Sequence, residues 1–274
     1  MANHSGFENG LILLLAIATT ITFQITSNFA NDYGDGVKGT DDEQRIGPKR
    51  ALQSGLLKKA ELKRGIVISS IISFVLTLFL VYEAFGAENM IYILIFSALG
   101  VLSIWAALRY TMGDSPYGYQ GLGDLFVFLF FGLLSVLGTK FLYTKTVEVI
   151  DFLPAAAIGF LCAGVLNLNN LRDFRSDRAH GKNTLVVKMG FEKGKRYHYL
   201  LLTVSFLSFL LYSLLNFTSW FSLLYLVFYL PISIHFLRVV KTTEPKLLDP
   251  ELKKLALSTF GLALLFYVTM NYFL

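Results

Sequence analysis

Eight apolar stretches, each near the length that crosses a bilayer, constrain this chain more than any other feature. They lie at roughly 11–30, 65–83, 91–110, 122–140, 151–170, 198–216, 220–238 and 255–274. A transmembrane helix needs about 20 mostly apolar residues. The runs are continuous and do not alternate, so they read as helices and not as barrel strands. Isolated Ser, Thr, Asn and Tyr residues inside them are compatible with hydrogen bonds between helices. The first run has no basic leader and no small-residue cleavage site, so it does not read as a signal peptide. The expected fold class is therefore all-α: a polytopic transmembrane helix bundle of about eight spans.

Composition agrees. Only 16% of the 274 residues are charged and 54% are hydrophobic, with a mean hydropathy of +0.57. An ordinary soluble domain carries about 25% charged residues. Disordered, collagen-like and ordinary soluble classes are excluded. A single cysteine, Cys162, rules out an intrachain disulfide framework.

The 24 Lys and Arg residues carry topology. Eight fall in 31–64, eight in 171–197 and five in 238–254, while the connections at 84–90 and 217–219 hold none. With eight spans the three basic connections share one side. The positive-inside rule makes that side the cytoplasm. The net charge of +5 is thereby explained without a nucleic acid. The expected location is the cell (inner) membrane, with the acidic-motif loops cytoplasmic.

Those loops hold the residues that carry chemistry. Residues 27–40 read S-N-F-A-N-D-Y-G-D-G-V-K-G-T, and 167–185 read N-L-N-N-L-R-D-F-R-S-D-R-A-H-G-K-N-T-L. Each stretch places Asn residues in the end of a span and then paired aspartates. Asp32 and Asp35 are spaced i,i+3, and Asp173 and Asp177 are spaced i,i+4. On a helix either spacing puts the pair on one face. Carboxylates beside hydrocarbon are costly and tend to be functional. If the two clusters converge, they repel one another unless a cation lies between them. Hard oxygen ligands select Mg²⁺ or Ca²⁺. Mg²⁺ uses one or two carboxylates and completes its shell with water and phosphate. The pattern therefore points to a diphosphate held through Mg²⁺, with Lys38, Arg172, Arg175, Arg178 and Lys182 near its oxygens. A diphosphate at a membrane interface suggests a lipid tail among the helices. The alternative for either cluster is solvated charge or helix capping.

At these residues the chain resembles the UbiA superfamily of intramembrane prenyltransferases. Within it, the likeness is to the branch that prenylates 1,4-dihydroxy-2-naphthoate in menaquinone synthesis. The segments that carry it are S-N-x-x-N-D-Y-G-D-x-V-K-G (27–39), R-I-G-P-x-R (45–50), P-Y-G-Y-x-G-L-G-D (116–124) and L-N-x-N-N-L-R-D-x-x-S-D-R-x-x-G-K-N-T-L-V-V (166–187). The resemblance implies a Mg²⁺-diphosphate site of Asn31, Asp32, Asp35, Asp173 and Asp177, with the four aspartates catalytic. It implies Arg172 and Lys182 as diphosphate contacts, and Lys38 and Arg45 as further substrate contacts. It implies polyprenyl diphosphate and 1,4-dihydroxy-2-naphthoate as substrates, with CO₂ and diphosphate lost and demethylmenaquinol formed.

Two departures stand out. The family's third acidic position is Gly39 here, with Asp41 and Asp42 just beyond. The family's first helix, with its Arg-Pro-x-Thr-Leu-Pro-like entry, has no counterpart, so the chain reads as one prenyltransferase domain, 1–274, that begins at the family's second span.

Other residues take smaller roles. Tyr110, Tyr117 and Tyr119 flank a Gly-rich connection and either shield an allylic cation or sit as interfacial aromatics. Asp124 either orients an acceptor hydroxyl or serves as a first-turn charge. Asn28 is expected to support Asp32, and Asn167 and Asn170 to bond within or between helices. His180 and His198 are expected to face water, and His235 to be satisfied in packing. Remaining alternatives are another acceptor within the superfamily and an ion-coupled transporter. A CDP-alcohol phosphotransferase is disfavoured, because Val37-Lys38-Gly39 follows Asp35-Gly36 in place of that class's motif.

Overall fold

A computed structural model of the chain describes residues 9–40 and 46–272. Arg45, Asp41 and Asp42 lie outside the described residues. Among the described residues, eight helical segments are long and apolar enough to cross a membrane, and no strand occurs. The helices group into two compact units, one of residues 9–120 with 179–182 and one of 121–178 with 183–274.

The first unit is built on α1 (Gly10–Lys38), α2 (Lys59–Phe85) and α3 (Met90–Arg109). The Asn9 side chain caps α1 by accepting from the backbone N–H groups of Leu11 and Ile12 at 2.9 and 3.1 Å. The helix does not stop where its apolar run ends near residue 30. It continues through the first acidic stretch to Lys38 and closes at Gly39, whose φ of 75° is left-handed. Asp32 and Asp35 are therefore helical, as their spacing predicts. Small residues set the packing. Gly65 lies against the Phe29 ring and Gly100 against Thr77. Ser69, Ser73 and Thr77 are buried on α2 and return their hydroxyl hydrogens to carbonyls of the preceding turn. A Cβ at Gly34 would stand 2.7 Å from the Thr111 carbonyl carbon, so only glycine lets α1 approach there.

The second unit holds the remaining spans. The fourth is α4 (Gly123–Val127), a π-helical segment Phe128–Leu134, and α5 (Ser135–Thr144). The π segment packs on α6 (Phe152–Arg172), where Gly132 and Gly159 touch; a Cβ on Gly132 would be 2.5 Å from the Gly159 Cα. Lys140 and Asp151, both buried, form an ion pair at 2.5 Å that ties α5 to the turn leading into α6. Short helices α7 (Phe174–Ala179) and α8 (Leu185–Met189) follow, then α9 (Phe191–Leu215), α10 (Tyr229–Lys241) and α11 (Asp249–Tyr272). The core at α6, α9 and α11 contains Leu161, Leu168, Leu202, Phe209, Leu255 and Leu262. Ser205 donates to the Ala157 carbonyl at 2.9 Å and lies 2.6 Å from the Tyr229 hydroxyl.

Candidate active site

In the first unit the acidic stretch is enclosed by its own cations and donors. Asp35 is 1% exposed. Its Oδ1 accepts from the Tyr119 hydroxyl at 2.8 Å, and its Oδ2 meets Lys182 Nζ at 3.1 Å and Arg50 at 3.5 Å. With the amide oriented so that both of its groups are satisfied, Asn31 donates to Asp35 Oδ2 at 3.1 Å and accepts from Arg50 at 3.0 Å. Asp32 has partners of its own, accepting from the backbone N–H groups of Ala51 and Leu52 at 3.0 and 3.4 Å. It thereby fixes the 51–57 turns onto α1.

Tyr119 joins these parts. Its hydroxyl lies 2.6 Å from Thr40 Oγ1, and the ammonium groups of Lys38 and Lys182 stand 4.7 and 5.3 Å from its ring centroid. Burial, and next the Asp35 charge, push its hydroxyl above the ordinary tyrosine range, so it remains a donor. Lys38 donates to the Gly113 carbonyl at 2.8 Å. A surface cleft of about 400 Å³ opens here, lined by Lys38, Asp114, Tyr119, Gln120 and His180 among others. Tyr117 and Tyr110 meet edge to face at 5.5 Å, and the Tyr117 hydroxyl donates to the Ala106 carbonyl at 2.8 Å.

In the second unit Arg172 organises the acidic stretch. It is 3% exposed at the end of α6. It binds Asp173 through Nε and Nη2, both at 2.7 Å, Asp249 Oδ1 at 2.9 Å and Asn169 Oδ1 at 2.8 Å. This planar fork is the geometry arginine provides and lysine does not. Asp173 ends α6, and the Asp177 backbone N–H bonds its carbonyl at 2.8 Å. Asp177 and Asn170 are buried. Asp124 is buried in the first turn of α4, and its Oδ1 meets no partner among the described residues.

Two sequence expectations are corrected. Asn28 does not bond Asp32; it is exposed and accepts from Gln24, one turn earlier on α1, at 3.3 Å. His198 is fully buried against His235, because α9 begins at Phe191, earlier than the apolar run implies. Arg50, Thr40, Asn169 and Asp249 belong to these networks and were not singled out. Arg50 had a signal, as the last residue of R-I-G-P-x-R; Asp249 lies 77 residues from Arg172 and had none.

The donor set suits Mg²⁺ when substrate completes it. Among the described residues no three His, Cys, Asp or Glu side chains form a cage. Mg²⁺ does not need one, since one or two carboxylates with water and phosphate suffice. Asn31, Asp32 and Asp35 offer hard oxygens within two turns of α1, and Asp173 and Asp177 offer them at the end of α6 and on α7.

Eight apolar spans with two Asn-Asp stretches define a multi-pass helical membrane enzyme. The chain belongs to the UbiA prenyltransferase family, whose model matches residues 1–269. It is 43% identical over 265 residues to the 1,4-dihydroxy-2-naphthoate octaprenyltransferase of Haemophilus influenzae, covering 97% of this chain and 85% of that one. It is 45% identical over 222 residues to the Escherichia coli protein of the same name, covering 81% and 71%. The protein of that name in Mycobacterium tuberculosis is 38% identical over 194 residues, covering 70% and 63%. No solved structure matches the chain.

Proposed function

We propose that the protein transfers a polyprenyl group from polyprenyl diphosphate to 1,4-dihydroxy-2-naphthoate, releasing diphosphate and CO₂ and giving demethylmenaquinol. The observation that carries this reading is the 43% identity, over 97% of the chain, to an enzyme named for that acceptor. The two acidic stretches lie within the matched region.

The allylic C–O bond breaks and its electron pair leaves with diphosphate. The ring carbon bearing the carboxylate attacks the allylic carbon, forming a C–C bond. CO₂ then departs and leaves its bonding pair in the ring, which restores aromaticity. No ring proton is removed at that carbon, so no general base is required there. Asn31, Asp32, Asp35, Asp173 and Asp177 would hold Mg²⁺, which supplies neutralisation of the departing diphosphate. Lys182, Lys38 and Arg50 surround Asp35 and are placed to meet phosphate oxygens. Tyr119 holds its proton and orients Asp35. We place the protein in the cell inner membrane with both acidic stretches cytoplasmic; the basic connections support that orientation.

The test is a detergent or liposome assay with 1,4-dihydroxy-2-naphthoate and a polyprenyl diphosphate, with Mg²⁺ or EDTA. Prenylated product and CO₂ in equal amounts, lost with EDTA, are expected. Product from 4-hydroxybenzoate alone would move the assignment to another acceptor.

A further inference from the structure

Outside the site, three buried polar side chains, Glu251, His235 and His198, form a chain in the interior of the second unit. Glu251 on α11 is 5% exposed, and its Oε1 is held by Lys254 at 2.5 Å and Arg238 at 3.2 Å. Its Oε2 lies 2.9 Å from His235 Nδ1. His235 Nε2 lies 2.9 Å from His198 Nε2. His235 and His198 are 1% and 0% exposed. Beyond them, His198 Nδ1 and both amide atoms of Asn167 are buried and meet no partner among the described residues.

Helix register places these orphans at one level of two packed helices. A Cβ at Gly164 would lie 3.5 Å from Leu202 and 3.8 Å from His198 Cε1, and one at Gly194 would lie 3.0 Å from Leu171. The α6 and α9 helices thus run antiparallel, with residues 164 and 171 opposite 202 and 194. Asn167, one turn beyond Gly164, falls at the level of His198. Helical side chains lean toward the helix N-terminus, which carries the Asn167 amide back toward Gly164.

The hydrogen-bond network assigns the tautomers. A carboxylate only accepts, so His235 Nδ1 carries a hydrogen. Glu251 already has two cations, and a third positive charge in this interior would be uncompensated. With both imidazoles neutral, His235 Nε2 is bare, His198 Nε2–H donates to it, and His198 Nδ1 is a bare acceptor. Buried polar groups of this kind are normally satisfied by ordered water.

We propose that His198 and Asn167 form an internal water site whose polarity is set by Glu251 through His235. The water donates to His198 Nδ1 and accepts from the Asn167 amide. It ties α9 to the α6 segment that carries Asn170, Arg172 and Asp173, and so positions the second acidic stretch for turnover. His198 and Asn167 are positioning residues and touch no substrate. The role in turnover rests on the prenyl transfer proposed above; the site itself does not.

Two measurements decide it. The first is the ¹⁵N-histidine spectrum of the intact protein in detergent, with the His198 resonance assigned by its loss in His198→Asn. A protonated Nε2 and bare Nδ1 on His198 are expected, and a protonated Nδ1 overturns the relay. Glu251→Gln, whose amide can donate, is expected to let the polarity reverse. The second is steady-state kinetics. His198→Leu is expected to lower kcat about tenfold, since small misplacement of reacting groups has effects of this order, with KM for the diphosphate little changed. His198→Asn keeps an acceptor near the Nδ1 position and is expected to recover most of the loss. Equal kcat in the two variants overturns the positioning role. A wild-type protein that makes no product refutes the assigned reaction, and with it the role in turnover, while the spectrum still decides the site.

Discussion

Tyr119→Phe removes one hydroxyl from the centre of the first acidic stretch. The substitution keeps the ring, so the Lys38 and Lys182 ammonium groups retain a face at 4.7 and 5.3 Å. It removes the hydroxyl that donates to Asp35 Oδ1 at 2.8 Å. Asp35 keeps Lys182 at 3.1 Å and Arg50 at 3.5 Å, so its charge remains compensated. What is lost is a charge-assisted hydrogen bond to a carboxylate that is 1% exposed, together with the neutral one to Thr40 at 2.6 Å, which is the weaker of the two. Such bonds contribute about 1.5–3 kcal/mol. Expressed fully in the transition state, at about 1.4 kcal/mol per factor of ten, that is about a 10- to 150-fold fall in kcat/KM. The assay is prenyl transfer with both substrates varied, beside a thermal-unfolding curve in the same detergent. The expected result is a loss in kcat/KM within that range and a small change in midpoint. Wild-type kcat/KM together with a wild-type midpoint would refute the reasoning, since the bond would then matter to neither function nor fold.

Three further outcomes follow from the same contacts. Because the Tyr119 hydroxyl is raised above its ordinary range, its proton is held more tightly in the folded chain than in the unfolded one; its stabilisation is complete below about pH 10 and is lost above it. The difference in unfolding midpoint between wild type and Tyr119→Phe should therefore be flat from pH 6 to about 9 and narrow only beyond about 10. Arg172→Lys replaces a fork that meets Asp173, Asp249 and Asn169 with a single ammonium, and should lower stability by about 1–3 kcal/mol as well as activity; a variant matching wild type in both would remove Arg172 from the site's support. Gly34→Ala drives a methyl group within 2.7 Å of the Thr111 backbone, and overpacking of this kind is destabilising by about 1–3 kcal/mol. Adding Thr111→Ala should not rescue it, because the backbone contact remains; full rescue in thermal unfolding would show that only the side chain was in the way.

Much of this was legible because the determinants are local. An apolar run announces a span wherever it occurs, and the eight runs correspond to the eight membrane-length helices. The i,i+3 spacing of Asp32 and Asp35 states a shared face once the helix is granted, and α1 does carry both. The helix ends were less legible. Polarity rises after residue 30, yet the backbone stays helical to Lys38, since the carboxylates there are satisfied by Tyr119, Lys182 and the 51–52 backbone, which lie far off in sequence. His198 shows the same limit. Beside Arg196 and Lys195 it reads as part of a basic loop, but burial is decided by the face of α9 on which it falls and by His235, 37 residues away. No period within a single stretch encodes such a partner.

The charge pattern also carries an argument about turnover. Asp35 and Asp173 each bind a cation that the sequence offered to the substrate: Lys182 in one case, Arg172 in the other. Neither carboxylate is left to repel its neighbours, so each stretch is electrostatically balanced within its own unit. A diphosphate arriving with Mg²⁺ brings both signs of charge. In the proposed reaction phosphate oxygens would draw the lysine from Asp35, and the freed carboxylate would be one of the groups that hold the metal, so the charge would stay balanced. Lys182 suits that exchange, being a single flexible ammonium that meets Asp35 at 3.1 Å. Arg172 does not, because its fork is committed to Asp173, Asp249 and Asn169 together. On the proposed reaction, the two basic residues that resemble equals in the sequence would divide the work: Lys182 would move to phosphate, and Arg172 would keep Asp173 aimed.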